Sequence, residues 1–295
     1  MQKGQAPGFY RMMLGDFQIT ALSDGTLDLP VDKLLQGAKP GEVQRALQRA
    51  YLGIPVETAV NAYLINTGTK LVMVDTGAAG LFGPTLGLTL AHLKAAGHTP
   101  EQVDEIYITH LHGDHIGGAT SADGKAVFPN AVIRMDKRES DYWLSADNMA
   151  KAPASAQDFF KGAMVSAKPY QDAGKLQPFE GKAGGVDLVP GVRAVPAYGH
   201  TPGHSFYVAE SKGQKMVFWG DVMHVAAVQF PDPAVTIGFD SDPKAAAPAR
   251  KAAFAEAAKA GYYVAVTHVA FPGIGRLRAD GKHYDWIPTN YTANR

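Results

Sequence analysis

The 295-residue chain contains no cysteine. Disulfides, thiolate nucleophiles and cysteine-ligated zinc are excluded with it, and the redox compartment cannot be read from thiol usage. Nor is there an excess of charge of either sign, because 28 Lys and Arg balance 28 Asp and Glu. Without a basic stripe, nucleic acid is not an expected partner. No apolar run approaches the length of a bilayer span, so a membrane is not expected either. Residues 1–7 lack the apolar centre of a signal peptide. Internal repeats, long charge runs and low-complexity linkers are missing too. What is present is a 46% hydrophobic, 19% charged composition, able to bury a sizeable core in one large α/β domain.

Histidine and aspartate are concentrated rather than scattered. Glu105-Ile106-Tyr107-Ile108 reads as a short buried strand. It opens into Thr109-His110-Leu111-His112-Gly113-Asp114-His115, followed by Gly117 and Gly118. Three imidazoles and a carboxylate within six residues are costly to place without a partner, and neutral imidazole is a common metal ligand. The set suits a zinc-like divalent ion. Its spacing directs His110 and His112 to one ion, and Asp114 and His115 to a second beside it. Further ligand types follow other short apolar stretches. Residues 192–197 lead to Tyr198-Gly199-His200-Thr201-Pro202-Gly203-His204, residues 216–219 to Gly220-Asp221, and residues 262–267 to His268. Strand ends at one rim of a layered α/β fold converge, so a dinuclear site is expected.

The remaining segments frame that site. Residues 17–22 read as a strand ending in a turn at Ser23-Asp24-Gly25, and 31–53 lean towards helix. Residues 59–64 and 71–74 flank Asn66-Thr67-Gly68-Thr69 as a hairpin that runs into Asp75, expected to hydrogen-bond a ligand rather than to be one. Residues 84–96 read as a helix with Leu86, Leu90 and Leu93 on one face. Thr99-Pro100-Glu101-Gln102 is a capping box with proline at the first helical position. Residues 131–135 read as a strand, and 137–144 and 155–165 as helices that bring Trp143, Phe159 and Phe160 towards a pocket wall. Residues 243–260 form an alanine-rich helix.

His-x-His-x-Asp-His, then Gly-His-Thr-Pro-Gly-His, then Gly-Asp, then a strand-end His, resembles the metallo-β-lactamase superfamily over roughly residues 17–275. The resemblance implies an α/β four-layer αβ/βα sandwich. It implies one domain over 1–295, with an N-terminal extension of about 1–16 and a C-terminal β extension of about 276–295. His110, His112 and His200 would hold one zinc, Asp114, His115 and His268 the other, and Asp221 would bridge them, while His204 falls at a structural position. Manganese, cobalt and iron share these ligand types. Within the superfamily, Phe9-Tyr10-Arg11-Met12, residues 75–87, residues 225–230 and Phe271-Pro272-Gly273-Ile274-Gly275 resemble the methyl parathion hydrolase family. That likeness implies a homodimer, a periplasmic or secreted location once a leader is removed, and an aromatic-lined pocket with Phe82, Trp143 and Phe160. Leu35, His224 and Ile237 depart from the organophosphate-hydrolysing pattern of Arg, Leu and Thr, and Phe239 completes the expected wall.

The expected activity is therefore dinuclear-zinc hydrolysis of aryl lactones and aryl esters of the dihydrocoumarin kind, by attack of a metal-bridging hydroxide. Asp221 and Asp114 would orient the nucleophile, and His224 would donate to the carbonyl or to the opened product. The alternatives are a phosphotriesterase of the methyl parathion type, as a main or side activity, and a non-enzymatic module stabilised by its metal. A β-lactamase fits less well, since many use a cysteine and lack a bridging carboxylate at Asp221.

Overall fold

Alternation along each strand decides which layer its side chains enter. In the strand Leu71–Val74, Leu71 and Met73 face helices, whereas Val72 and Val74 face a second sheet. The computed structural model describes residues 5–291; residues 1–4 and 292–295, the ends of the two expected extensions, lie outside the described residues. The first half of the chain supplies strands β1 (Phe9–Leu14), β2 (Phe17–Leu29), β3 (Leu35–Gln36), β4 (Val56–Asn66), β5 (Leu71–Val74), β6 (Glu105–Tyr107) and β7 (Val132–Arg134). The second half supplies β8 (Val186–Val189), β9 (Val192–Pro196), β10 (Ser205–Ser211), β11 (Gln214–Phe218), β12 (Thr236–Ile237), β13 (Tyr263–Ala265), β14 (Ile274–Asp280) and β15 (His283–Pro288).

One sheet has the order β1-β2-β4-β5-β6-β7, a second has β15-β14-β13-β11-β10-β9-β8, and β12 pairs with β3. Between the two large sheets lies a core of Tyr10, Ile19, Ile65, Val74 and Tyr107 against Ala194, Tyr207, Met216, Phe218 and Ala265. The outer face of the first sheet carries Leu64, Met73 and Ile106 against Leu93 and against Phe160, Ala163 and Tyr170 of the helix Ala154–Asp172. The outer face of the second carries Val208, Val217 and Val264 against Phe254 and Ala257 of the helix Pro243–Ala260. Helix, sheet, sheet, helix is the expected four-layer order. No helix among the described residues is long and apolar enough to cross a membrane.

Two local expectations are corrected. Ser23-Asp24-Gly25 is not a turn, because β2 continues to Leu29 through a register shift there. Asp24 is buried and accepts from Ala78 N (2.9 Å), Gly87 N (3.0 Å), Thr89 N (3.0 Å) and Thr89 Oγ1 (2.6 Å). A bulge turns this carboxylate onto a loop that a regular strand could not reach. The helix expected over 84–96 covers only Thr89–Ala95, since Gly87 takes a left-handed φ of 88° just before it. Within the expected N-terminal extension, residues 9–14 form β1 in antiparallel register with β2.

Candidate metal centre

Each ligand-type side chain sits where a strand leaves its sheet. After β6 the chain turns through His110 into the helix Gly113–Ile116, whose N-cap is His112 and whose first turn carries Asp114 and His115. His200 follows β9, Asp221 follows β11 and His268 follows β13. The first sheet thus contributes four such groups and the second three, facing one another across the rim. Asn61 of β4 spans the same gap, donating Nδ2 to the carbonyls of Val266 (3.3 Å), Thr267 (3.0 Å) and Val269 (2.7 Å) around His268.

These seven side chains form two groups that share Asp221: His110, His112, His200 and Asp221, and Asp114, His115, His268 and Asp221. Within each group the donor atoms all lie within 4.8 Å of one another. His200 Nε2 is 3.2 Å from both His110 Nε2 and His112 Nδ1. Asp221 Oδ1 is 3.1 Å from His115 Nε2, and Oδ2 is 3.2 Å from His268 Nε2. Asp114 Oδ2 lies 3.5 Å from both His115 Nε2 and His268 Nε2.

The outward nitrogens fix the tautomers. His115 Nδ1 donates to Asp75 Oδ2 (2.8 Å), His200 Nδ1 to Asp240 Oδ1 (2.9 Å) and His268 Nδ1 to the Ala59 carbonyl (2.9 Å). Thr109 Oγ1 donates to Asp75 Oδ2 (2.8 Å), so it accepts from His110 Nδ1 at 3.2 Å. All four Nδ1 protons are used, and four Nε2 lone pairs point inward. Among the described residues, His115 Nε2 and Asp221 Oδ1 are buried without a hydrogen-bond partner, two acceptors face to face. Acceptors in such an arrangement need a cation between them, and the donor set suits a divalent transition metal.

The electrostatics agree. Burial, followed by the neighbouring imidazoles His115 and His200 respectively, holds His110 and His112 well below the ordinary histidine range, leaving them neutral. Burial works against charge on His115, but Asp221, Asp114 and Asp75 outweigh it and favour a positive charge at that nitrogen. Burial likewise opposes ionisation of Asp221, and the surrounding histidines, His115 foremost, reverse this and keep it ionised. A bound cation satisfies the same demand that a proton would.

A cavity of about 210 Å³ opens onto the cluster, lined by Leu27, Leu29, Phe82, Phe159 and Phe239 and floored by His112, Asp114, Asp221, His224 and His268. Phe82, His224 and Phe239 are where the sequence expected them. Four expected wall residues are not. Phe160 is fully buried and packs on Trp143 at 4.6 Å, so its helix turns Phe159 to the cavity instead. Trp143 stands behind His112, edge-on at 5.1 Å. Leu35 and Ile237 pair with each other between β3 and β12 and pack in the core behind Leu29. His224 is buried, with Nε2 3.0 Å from Asp221 Oδ2, and burial takes its pKa down to about 4.

Asp75 orients His115, as anticipated, with a φ of 56° that turns its carboxylate onto Thr109 N (2.8 Å) and the imidazole. His204 also has the structural part expected of it. Its Nδ1 donates to the Ala197 carbonyl (3.1 Å), its Nε2 accepts from Asp221 N (3.0 Å), and burial lowers its pKa to about 3. Two carboxylates had no signal in the sequence. Asp240, in a loop after β12, orients His200. Glu139, in the helix Lys137–Trp143, accepts from Leu111 N (2.9 Å) and Gly203 N (2.7 Å), and burial pushes its pKa up to about 7.

Known proteins resemble the chain in sequence and in fold. An N-acyl homoserine lactonase from a Bacillus sp is 25% identical over 206 residues, covering 63% of this chain and 72% of its own. YobT of Bacillus subtilis (strain 168) is 27% identical over 163 residues, 54% of this chain and 60% of that protein. Among solved structures, the hydrolase AbOPH in the beta lactamase superfamily superimposes with a TM-score of 0.92 at 37% identity, covering 98% of this chain and 100% of that one. The dizinc quorum-quenching lactonase AidC, in complex with a product, does so with 0.88 at 26% identity, over 97% and 99%. The metallo-β-lactamase superfamily model matches residues 55–268. The chain belongs to the metallo-β-lactamase superfamily.

Proposed function

We propose that the protein is a metal-dependent hydrolase that opens aryl lactones and cleaves aryl esters, with His110, His112, His200 and Asp221 holding one divalent cation and Asp114, His115, His268 and Asp221 the other. The observation that carries this reading is the set of inward lone pairs around a shared carboxylate, directly beneath an apolar cavity. Zinc is the ion we infer, and a place among the lactonase-like relatives of methyl parathion hydrolase is the assignment we favour. The dizinc lactonase AidC and the N-acyl homoserine lactonases support the lactone half of the proposal.

Divalent cations held there supply an acidified water and a Lewis acid for the carbonyl. The chain's own groups do the rest. Phe82, Phe159 and Phe239 offer faces and edges to an aromatic ring and exclude bulk water from the carbonyl carbon. At about 210 Å³ the cavity is smaller than the ~300–1,000 Å³ typical of larger ligands, which favours a compact planar lactone or phenyl ester. Asp221 and Asp114 both approach His115 and His268, and would orient the attacking oxygen from these positions. His224 lines the cavity, and neither of its ring nitrogens has a hydrogen-bond partner among the described residues, so this imidazole has hydrogen-bonding capacity to spare for a substrate oxygen.

Rates on dihydrocoumarin, phenyl acetate, an N-acyl homoserine lactone and a dimethyl phosphotriester, each with and without chelator, test the proposal. Aryl lactone and aryl ester turnover should lead, and chelation should abolish it. Turnover that survives complete metal removal, or a phosphotriester that outpaces both, would overturn it. His224→Leu should lower kcat/KM on the lactone by about fivefold, the worth of one hydrogen bond of ~1 kcal/mol, and raise the phosphotriester rate. Unchanged ratios between the two substrates would remove His224 from the substrate-binding set.

A further inference from the structure

Glu139 is fully buried on the helix Lys137–Trp143, yet it touches neither the cavity nor any of the seven ligand-type side chains by hydrogen bond. Its carboxylate oxygens go to two backbone donors far apart in sequence. Oε1 accepts from Leu111 N at 2.9 Å, and Oε2 from Gly203 N at 2.7 Å. Leu111 lies between His110 and His112, and Gly203 lies in the loop that carries His200. A Cβ at Gly203 would overlap the Glu139 backbone nitrogen, so the helix is seated directly on that loop. Burying a carboxylate is costly unless it is well hydrogen-bonded, and an apolar side chain would have filled this volume without that cost. The group is therefore explained by what it joins.

We propose that Glu139 is a positioning residue that sets the separation of the two loops bearing His110, His112 and His200, and so tunes cation affinity at that one site. The inference rests on the reading of the two clusters as cation sites. Its selectivity follows from the other supports, because His115 is held by Asp75 and His268 by the Ala59 carbonyl, and neither touches Glu139. Glutamine keeps the shape but replaces one acceptor oxygen with an NH₂ group. That group would face a backbone N–H, so one loop is released. Aspartate keeps the charge but is one methylene too short to reach both donors.

The test counts bound zinc per chain by elemental analysis in the full-length protein, equilibrated against a series of chelator concentrations, with thermal unfolding measured in parallel. The wild type should hold two equivalents, and Glu139→Gln should release one of them at about 10- to 100-fold weaker chelation while holding the other as the wild type does. Cobalt loading gives a second readout, in which the absorption spectrum of the retained site stays that of the wild type. Phe254→Leu, in the core on the far side of the second sheet, lowers stability without touching either loop and should keep both equivalents. If Glu139→Gln does not fold, Glu139→Asp carries the same expectation. Loss of both ions together, loss of neither, or the same loss in Phe254→Leu would overturn the proposal. A wild type that binds no zinc would instead overturn the reading of the clusters on which it rests.

Discussion

Asp221→Asn is expected to lower hydrolysis of every substrate by at least about 100-fold and to leave less than one equivalent of firmly held metal per chain. Asp221 is common to both clusters, with Oδ1 3.1 Å from His115 Nε2 and Oδ2 3.2 Å from His268 Nε2. Removing its charge weakens both halves at once, and a metal site contributes several kcal/mol to the reaction it serves, which corresponds to 100-fold or more. The amide is isosteric and Asp221 N still donates to His204 Nε2 (3.0 Å), so circular dichroism should show the fold intact. Elemental analysis of the purified variant beside the wild type separates the two outcomes. Asp221→Asn that retains two ions and full activity would refute the shared-carboxylate arrangement.

The second large effect concerns stability. Arg250 is fully buried in the helix Pro243–Ala260, where Nε donates to Val222 O (2.5 Å) and Nη1 to Val235 O (2.6 Å) and Pro233 O (3.2 Å). Its Nη2 lies 3.6 Å from Asp240 Oδ2, and Asp240 in turn orients His200. Arg250→Met fills much of the volume but leaves three carbonyls and a buried carboxylate without their cation. Breaking a buried pair by removing one partner costs about 3–5 kcal/mol, and urea unfolding should show a loss of that order. A loss below about 1 kcal/mol would mean that water enters and replaces the guanidinium. Because Val222 adjoins Asp221, zinc binding should weaken in the same variant even where the protein remains folded.

The clustering of the seven side chains is legible in the sequence because each follows a short apolar run, and strand ends at one rim converge whatever the details of the fold. The long helix Pro243–Ala260 was legible through its alanine content and N-terminal proline. What the sequence could not convey was rotation and reach. Phe159 and Phe160 are adjacent on a helix and point about 100° apart, and no periodicity in an irregular stretch says which of them faces a cavity. Leu35 and Ile237 were placed by likeness at the cavity, but the pairing of β3 with β12 draws them into the core. Asp24 looked like a turn residue because a bulge and a turn use the same Ser-Asp-Gly chemistry. Glu139 and Asp240 were invisible for a different reason. Each acts across a long sequence separation on backbone or imidazole, and a lone acid in a helix or loop gives no local sign of that.

Asn61 and the division of the seven ligand-type side chains between the two sheets have a dynamic consequence. Four of these side chains belong to one sheet and three to the other, while the Asn61 amide ties the loop around His268 to the opposite sheet. A slide of one sheet over the other by even an ångström would pull both clusters apart, so ions held there would act as cross-links between halves that otherwise meet through apolar side chains and a few hydrogen bonds, such as those of Asn61, Tyr63 and Tyr207. Loading the protein should therefore slow deuterium uptake at the backbone amides of β4 and β13 together, far more than at the outer strands β1 and β15.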